Sequence, residues 1–151
     1  MVKWGIGLVM LGLAAGAAMA QTPAQIVQER REGLRRAGAA MEAIQQNVQG
    51  RGDPQAIVPR VAEVQEFFSK DFSSRFHAGT QQGAPGLETR ALPAIWSDFA
   101  SFQRAEQVAI AALAALRDAA ASGDRAATAT AFQAAGQACG NCHRPFRAPA
   151  R

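Results

Sequence analysis

The chain is 151 residues long, with two cysteines, two histidines and no tyrosine. That length suits one domain. A composition of 48% hydrophobic and 19% charged residues is too apolar for a disordered chain and ordinary for a globular one. Two cysteines exclude a multi-disulfide scaffold and a four-cysteine zinc site, and two histidines exclude a histidine-rich metal cage.

Residues 1–20 read as a cleaved signal peptide. Lys3 forms the basic n-region, Trp4 to Ala18 the apolar h-region, and Ala18-Met19-Ala20 the small-x-small cleavage pattern. The run is glycine-rich and shorter than the roughly 20 apolar residues of a spanning helix. Export to the periplasm is therefore expected, with residues 21–151 forming a single soluble domain and no later membrane segment. Cleavage removes Lys3 and no acidic residue, so 12 acidic residues remain against a small basic excess. Arg30, Arg31, Arg35 and Arg36 cluster, but a charge run on a helix reads as a solvated face. No base-stacking aromatic pattern points to nucleic acid.

From Gln21 onward there is no period-2 alternation, and Ala, Gln, Glu and Arg favour helix. A first helix starts at Pro23 with Thr22 as N-cap. Its apolar stripe reads Ile26, Leu34, Ala37, Met41, Ile44 and Val48, with Arg30 at the intervening position. Gly50-Arg51-Gly52 ends it. Asp53-Pro54 can cap a second helix, which bends near Val58 or begins at Pro59, since proline in a helix interior removes a backbone bond. Its core face includes Val61, Val64, Phe68 and Phe72. Gly79 to Leu92 reads as a loop.

A third helix opens at Pro93 and runs to about Ala121, with Ile95, Phe99, Phe102, Ile110, Leu113 and Leu116 at helical spacing. Ser122-Gly123-Asp124 is a tight turn, with Asp124 as N-cap of a fourth helix running to about Arg144. Phe132, Ala135, Cys139, His143 and Phe146 lie along one face of it. Short connections force neighbouring helices to be antiparallel. The expected fold is an all-α, antiparallel, up-down-up-down four-helix bundle of helices roughly 20–28 residues long.

The informative string is Cys139-Gly140-Asn141-Cys142-His143, a Cys-x-x-Cys-His signature for covalent attachment of c-type haem. Two thiols three residues apart face one side of a helix and can reach the two vinyl groups on one edge of a porphyrin. His143, four residues from Cys139, stays on that side and can serve as an axial iron ligand. A thioredoxin-like Cys-x-x-Cys belongs at the start of a helix in a βαβ setting, and a zinc site would have only His77 to complete its ligands. A plain Cys139–Cys142 disulfide in a non-haem exported helical module is the remaining alternative.

A late Cys-x-x-Cys-His in an exported four-helix chain resembles the class II cytochromes c, and specifically the cytochrome c′ family. The resemblance covers essentially residues 23–147. It rests on Arg30-x-x-x-Leu34 with Gly38 and Met41, on Pro93 to Phe99 with Phe102, and on Phe132, Cys139 to His143 and Arg147. It implies one haem c bound through Cys139 and Cys142, with His143 as metal ligand. Low-spin members carry a methionine in the first helix as sixth ligand, whereas high-spin members carry a non-ligating residue there. The matching residue here is Leu34, so a five-coordinate iron under an apolar distal side is expected, taking nitric oxide or CO and exchanging electrons with a redox partner.

Met41 lies seven residues beyond Leu34, roughly 10 Å along the axis, and reads as core filler. Were it the sixth ligand, the protein would be a low-spin electron carrier. His77 reads as a surface histidine. Arg30 is the family-matched partner of a haem propionate, and Arg147 the basic residue flanking the proximal face. Pro145 is expected to bend or stop the fourth helix just after His143, which leaves the placement of Arg147 on the proximal face open. Phe146 stands where relatives often have tyrosine. Relatives often form homodimers through the first two helices, and Ala37, Gly38, Ala39 and Ala40 would allow close approach. Enzyme chemistry is not expected, because no second polar group converges on the pocket as acid or base.

Overall fold

A computed structural model describes residues 21–83 and 86–149. Residues 1–20, where the signal peptide is read, lie outside the described residues. The fold is an all-α, antiparallel four-helix bundle.

Helix α1 spans Pro23–Gln49. Thr22 and Gln25 form a reciprocal capping box, in which Gln25 N–H donates to Thr22 Oγ1 at 3.3 Å and Thr22 N–H donates to Gln25 Oε1 at 2.8 Å. The helix stops at Gly50, and the next residue, Arg51, turns the chain at φ 54°. Its buried face is Val27, Arg30, Gly33, Ala37, Ala40 and Ile44. That stripe lies partly one residue away from the expected one, leaving Ile26, Leu34, Met41 and Val48 half-buried at its edge. Small residues explain the phase. The Phe67 ring sits directly on Gly33, where an added Cβ would come within 2.0 Å of Cε2, so the backbone itself forms part of the packed face.

A 3-10 turn, Pro54–Ile57, precedes helix α2, Val58–Ser69. At 12 residues, α2 is shorter than the sequence pattern suggests. Pro59 falls in its first turn, where a missing N–H costs little. A second 3-10 turn, Ser73–Phe76, then leads into the long connection. The expected continuous third helix is broken. Helix α3 (Ala94–Ser97) and helix α4 (Phe99–Ala121) meet at Asp98, whose φ −134° and ψ 60° are not helical and whose carboxylate accepts from Ser101 N–H at 3.2 Å.

Helix α5, Arg125–Phe146, is capped by Asp124, which accepts from Ala126 N–H at 2.8 Å and Ala127 N–H at 3.0 Å. Of the bend or stop expected just after His143, the stop does not occur. The helix runs through Pro145 to Phe146, and Arg147 N–H closes it by donating to the His143 carbonyl at 3.0 Å. Proline removes only the bond to the Asn141 carbonyl, and Asn141 is exposed, so water can take its place.

Two clusters form the core. One holds Ile44, Ile57, Val61, Val64, Leu113 and Leu116, each at most 2% exposed; each such side chain contributes roughly 1.5–3 kcal/mol. The other is aromatic and lies towards the C-terminal end of α5. There the chain leaving α5 pairs with the segment before α3 through an Ala91–Arg147 antiparallel bridge, with Leu92 N–H donating to Phe146 O at 3.1 Å and Ala148 N–H to Arg90 O at 2.8 Å. Among the described residues no helix is long and apolar enough to cross a membrane.

Candidate functional site

The last turns of α5 bring Cys139, Cys142 and His143 together, all half-buried, and both thiols are free. Burial pushes both thiols up, Cys142 to about 11, helped by the neighbouring Cys139 and Glu106. Burial pushes His143 down, reinforced by the Arg147 and Arg90 guanidinium groups. At neutral pH the site therefore presents two protonated thiols and a neutral imidazole, whose free ring nitrogen is the form that ligates metal.

Beside these groups stands an apolar wall. Phe72, Phe76, Ile95, Phe102 and Phe146 form it, with Leu34, Trp96, Phe99 and Cys142 packed against it. The rings meet edge-on: Phe76 and Phe102 at 4.7 Å, Phe102 and Phe146 at 5.3 Å between centroids. Such contacts add to area burial. Leu34 thus belongs to the cluster that holds Cys142. Met41 does not; it packs on the aliphatic cluster around Ile44 and Leu113. His77 is exposed, with Nδ1 at 2.7 Å from the Ala78 carbonyl.

Arg30 is 1% exposed, although it carries a charge. Its Nη1 donates to the Arg75 carbonyl at 3.0 Å, and its Nη2 donates to Thr80 O at 3.3 Å and Thr89 Oγ1 at 3.1 Å. The guanidinium also lies 4.2 Å over the Phe76 ring. Burial lowers its pKa to about 10, still charged at neutral pH. No carboxylate pairs with it among the described residues. Arg147 is exposed and extended at the end of α5, beside Arg90.

One polar group was not anticipated. Glu106 lies on the buried face of α4, 5% exposed, with Oε1 accepting from Ser73 N–H at 3.2 Å. The spacing Phe102, Glu106, Ala109, Leu113 carries the signal, since a charged residue at helical intervals within an apolar stripe must be buried with it.

A family model described as Cytochrome C′ matches residues 25–147. The chain belongs to the cytochrome c′ family. It is similar to a cytochrome c′ of Allochromatium vinosum, 26% identical over 143 residues, covering 94% of this chain and 93% of that one. Its fold matches the crystal structure of cytochrome c′ from Thermochromatium tepidum with TM-score 0.81 at 24% identity, over 85% of this chain and 98% of that one. Cytochrome c prime from Alcaligenes xylosoxidans matches with TM-score 0.75 at 25% identity, over 87% of this chain and 100% of that one.

The cytochrome c′ family binds a single covalently attached c-type haem, and Cys139 and Cys142 are the chain's two cysteines. The residues present fit that group. Two neutral thiols, a neutral imidazole one turn from the first thiol, and a flat-sided aromatic wall shared with Cys142 are the donors and surface that an apolar ring with one metal centre requires.

Proposed function

We propose that this chain is a periplasmic cytochrome c′ with five-coordinate, high-spin iron, with His143 as the axial ligand and Leu34 on the opposite side of the ring. The bound haem supplies an iron that takes a diatomic ligand and changes between ferric and ferrous. The observation carrying this reading is the division of the core. Leu34 packs with the Cys142 cluster, whereas Met41 packs with the aliphatic one. Leucine has no lone pair to donate, so the sixth position stays open. Apolar surroundings without hydrogen-bond donors disfavour dioxygen more than nitric oxide or CO, which makes the latter two the proposed ligands.

A nitric oxide complex and a carbon monoxide-bound form of variants of the Alcaligenes xylosoxidans protein support that choice. Arg30, a buried cation with no carboxylate against it among the described residues, is proposed to face a haem propionate with its remaining N–H groups. Arg147 is proposed to flank His143, which its charge already influences. The export pattern of residues 1–20 supports the periplasmic location. No substrate turnover is assigned.

Electron exchange is a second proposed role, compatible with the first. The half-buried thiols and His143, with exposed Arg144 and Arg147 close by in the chain and exposed Arg90 bonded to the Ala148 carbonyl, offer a basic surface to an anionic redox partner. Homodimer formation through α1 and α2 is proposed on the exposed Gly38 and Ala39; Ala37 and Ala40 are used inside the bundle. The deciding experiment is the optical and EPR spectrum of the purified ferric protein. High-spin haem is expected. A purely low-spin, six-coordinate spectrum overturns the Leu34 assignment, and a denaturing gel without haem stain overturns haem attachment in favour of the disulfide module.

A further inference from the structure

Glu106 is a carboxylate in an apolar wall, and no cation pairs with it among the described residues. It is 5% exposed, and among the described residues its hydrogen-bond donor is the neutral backbone N–H of Ser73. It sits one turn beyond Phe102, which packs against Phe146 at 5.3 Å, and beside Ala105, which, like Cys142, packs against the aromatic cluster. A buried anion is costly unless something positive compensates it, and the described residues provide no such group in contact.

We propose that Glu106 is a positioning charge that sets the reduction potential of the haem, favouring the ferric over the ferrous state. This rests on haem attachment through Cys139 and Cys142. A ferric haem carries one more positive charge than a ferrous one, so a fixed anion beside the Cys142 edge stabilises ferric selectively. Reduction takes one electron from an external one-electron donor, and no bond at Glu106 forms or breaks. At the effective dielectric of protein interiors, a unit charge acting across about two packed side chains biases a one-electron equilibrium by roughly tenfold. Burial protects the effect from salt screening.

The test uses the haem-loaded protein and spectroelectrochemical titration with small redox mediators. Glu106→Gln keeps an oxygen for Ser73 N–H and removes the charge. It is expected to shift the equilibrium about tenfold towards ferrous, roughly 59 mV upward for one electron, at both low and high ionic strength. Glu106→Asp retains the charge and is expected to move the midpoint far less. A wild-type midpoint in Glu106→Gln, equal shifts in both variants, or a shift that disappears at high salt overturns the proposal. Haem staining and the ferric spin state, recorded on the same samples, report separately on attachment and coordination, so failure of either is distinguishable from failure of the charge effect.

Discussion

Replacing Arg30 by methionine tests the most heavily bonded side chain in the site. Methionine matches its length and apolar stem but leaves the carbonyls of Arg75 and Thr80 and the Thr89 hydroxyl without their cationic donor. Charge-assisted bonds contribute about 1.5–3 kcal/mol each, and the stacking on Phe76 at 4.2 Å adds about 1–2 kcal/mol. Relief of the buried charge returns several kcal/mol. The net loss is about 3 kcal/mol, or roughly 10 °C in Tm for a domain of this size.

Thermal unfolding of the haem-loaded protein measures this loss, and limited proteolysis between residues 77 and 89 reports whether the connection has been released. Arg30→Lys keeps the charge but cannot span three acceptors with a fork, so an intermediate loss is expected. A loss below about 1 kcal/mol, with the connection still protease-resistant, would refute the idea that Arg30 ties α1 to this segment.

Leu34→Met is expected to convert the ferric spectrum towards low-spin, six-coordinate haem; an unchanged spectrum means residue 34 does not face the iron. Gly33→Ala would drive a Cβ to within 2.0 Å of the Phe67 ring, and chemical denaturation should record about 1–3 kcal/mol of overpacking, relieved by a second substitution, Phe67→Leu. His143 is held below the ordinary histidine range by burial and then by Arg147 and Arg90, so its neutral form is favoured. Its ligation should therefore survive acidification through that range and fail only below it. In linkage terms the unfolded chain takes up the proton first, so stability from this group is present above the unfolded histidine value and falls as pH drops towards the folded one. Arg147→Ala removes one cause of the lowering and should move the acid spectral transition to higher pH.

The parts of this fold that are legible in the sequence are those set by neighbours a few residues away. Thr22 and Asp124 cap their helices because a short side-chain oxygen beside a new helix meets the free N–H groups of its first turn, whatever surrounds it. The haem-attachment string is likewise local, since three and four residues of helix suffice to align two thiols and an imidazole. What fails to show is set by distant packing. The phase of α1 depends on the Phe67 ring pressing on Gly33, a residue with no hydropathy to announce it. Pro145 stays helical because Asn141, whose carbonyl loses its partner, is exposed, a fact of its surroundings rather than its spelling.

The two buried charges show most clearly why the site is only half readable. Arg30 and Glu106 lie on different helices, α1 and α4, and each bonds to backbone of the same 3-10 turn. Glu106 accepts from Ser73 N–H at the start of the turn, and Arg30 donates to the Arg75 carbonyl near its end. The signs match the groups they meet, with the anion at the Ser73 N–H and the cation at the Arg75 carbonyl. Neither residue can be matched to the other from sequence, because the partner of each is the backbone between them. The turn carries Phe76, which stacks under Arg30 and meets Phe102 at 4.7 Å, so the two charges together fix one side of the aromatic wall. Removing either charge should therefore loosen Phe76, whereas only removal of the anion should raise the haem's potential by stripping negative charge from the wall.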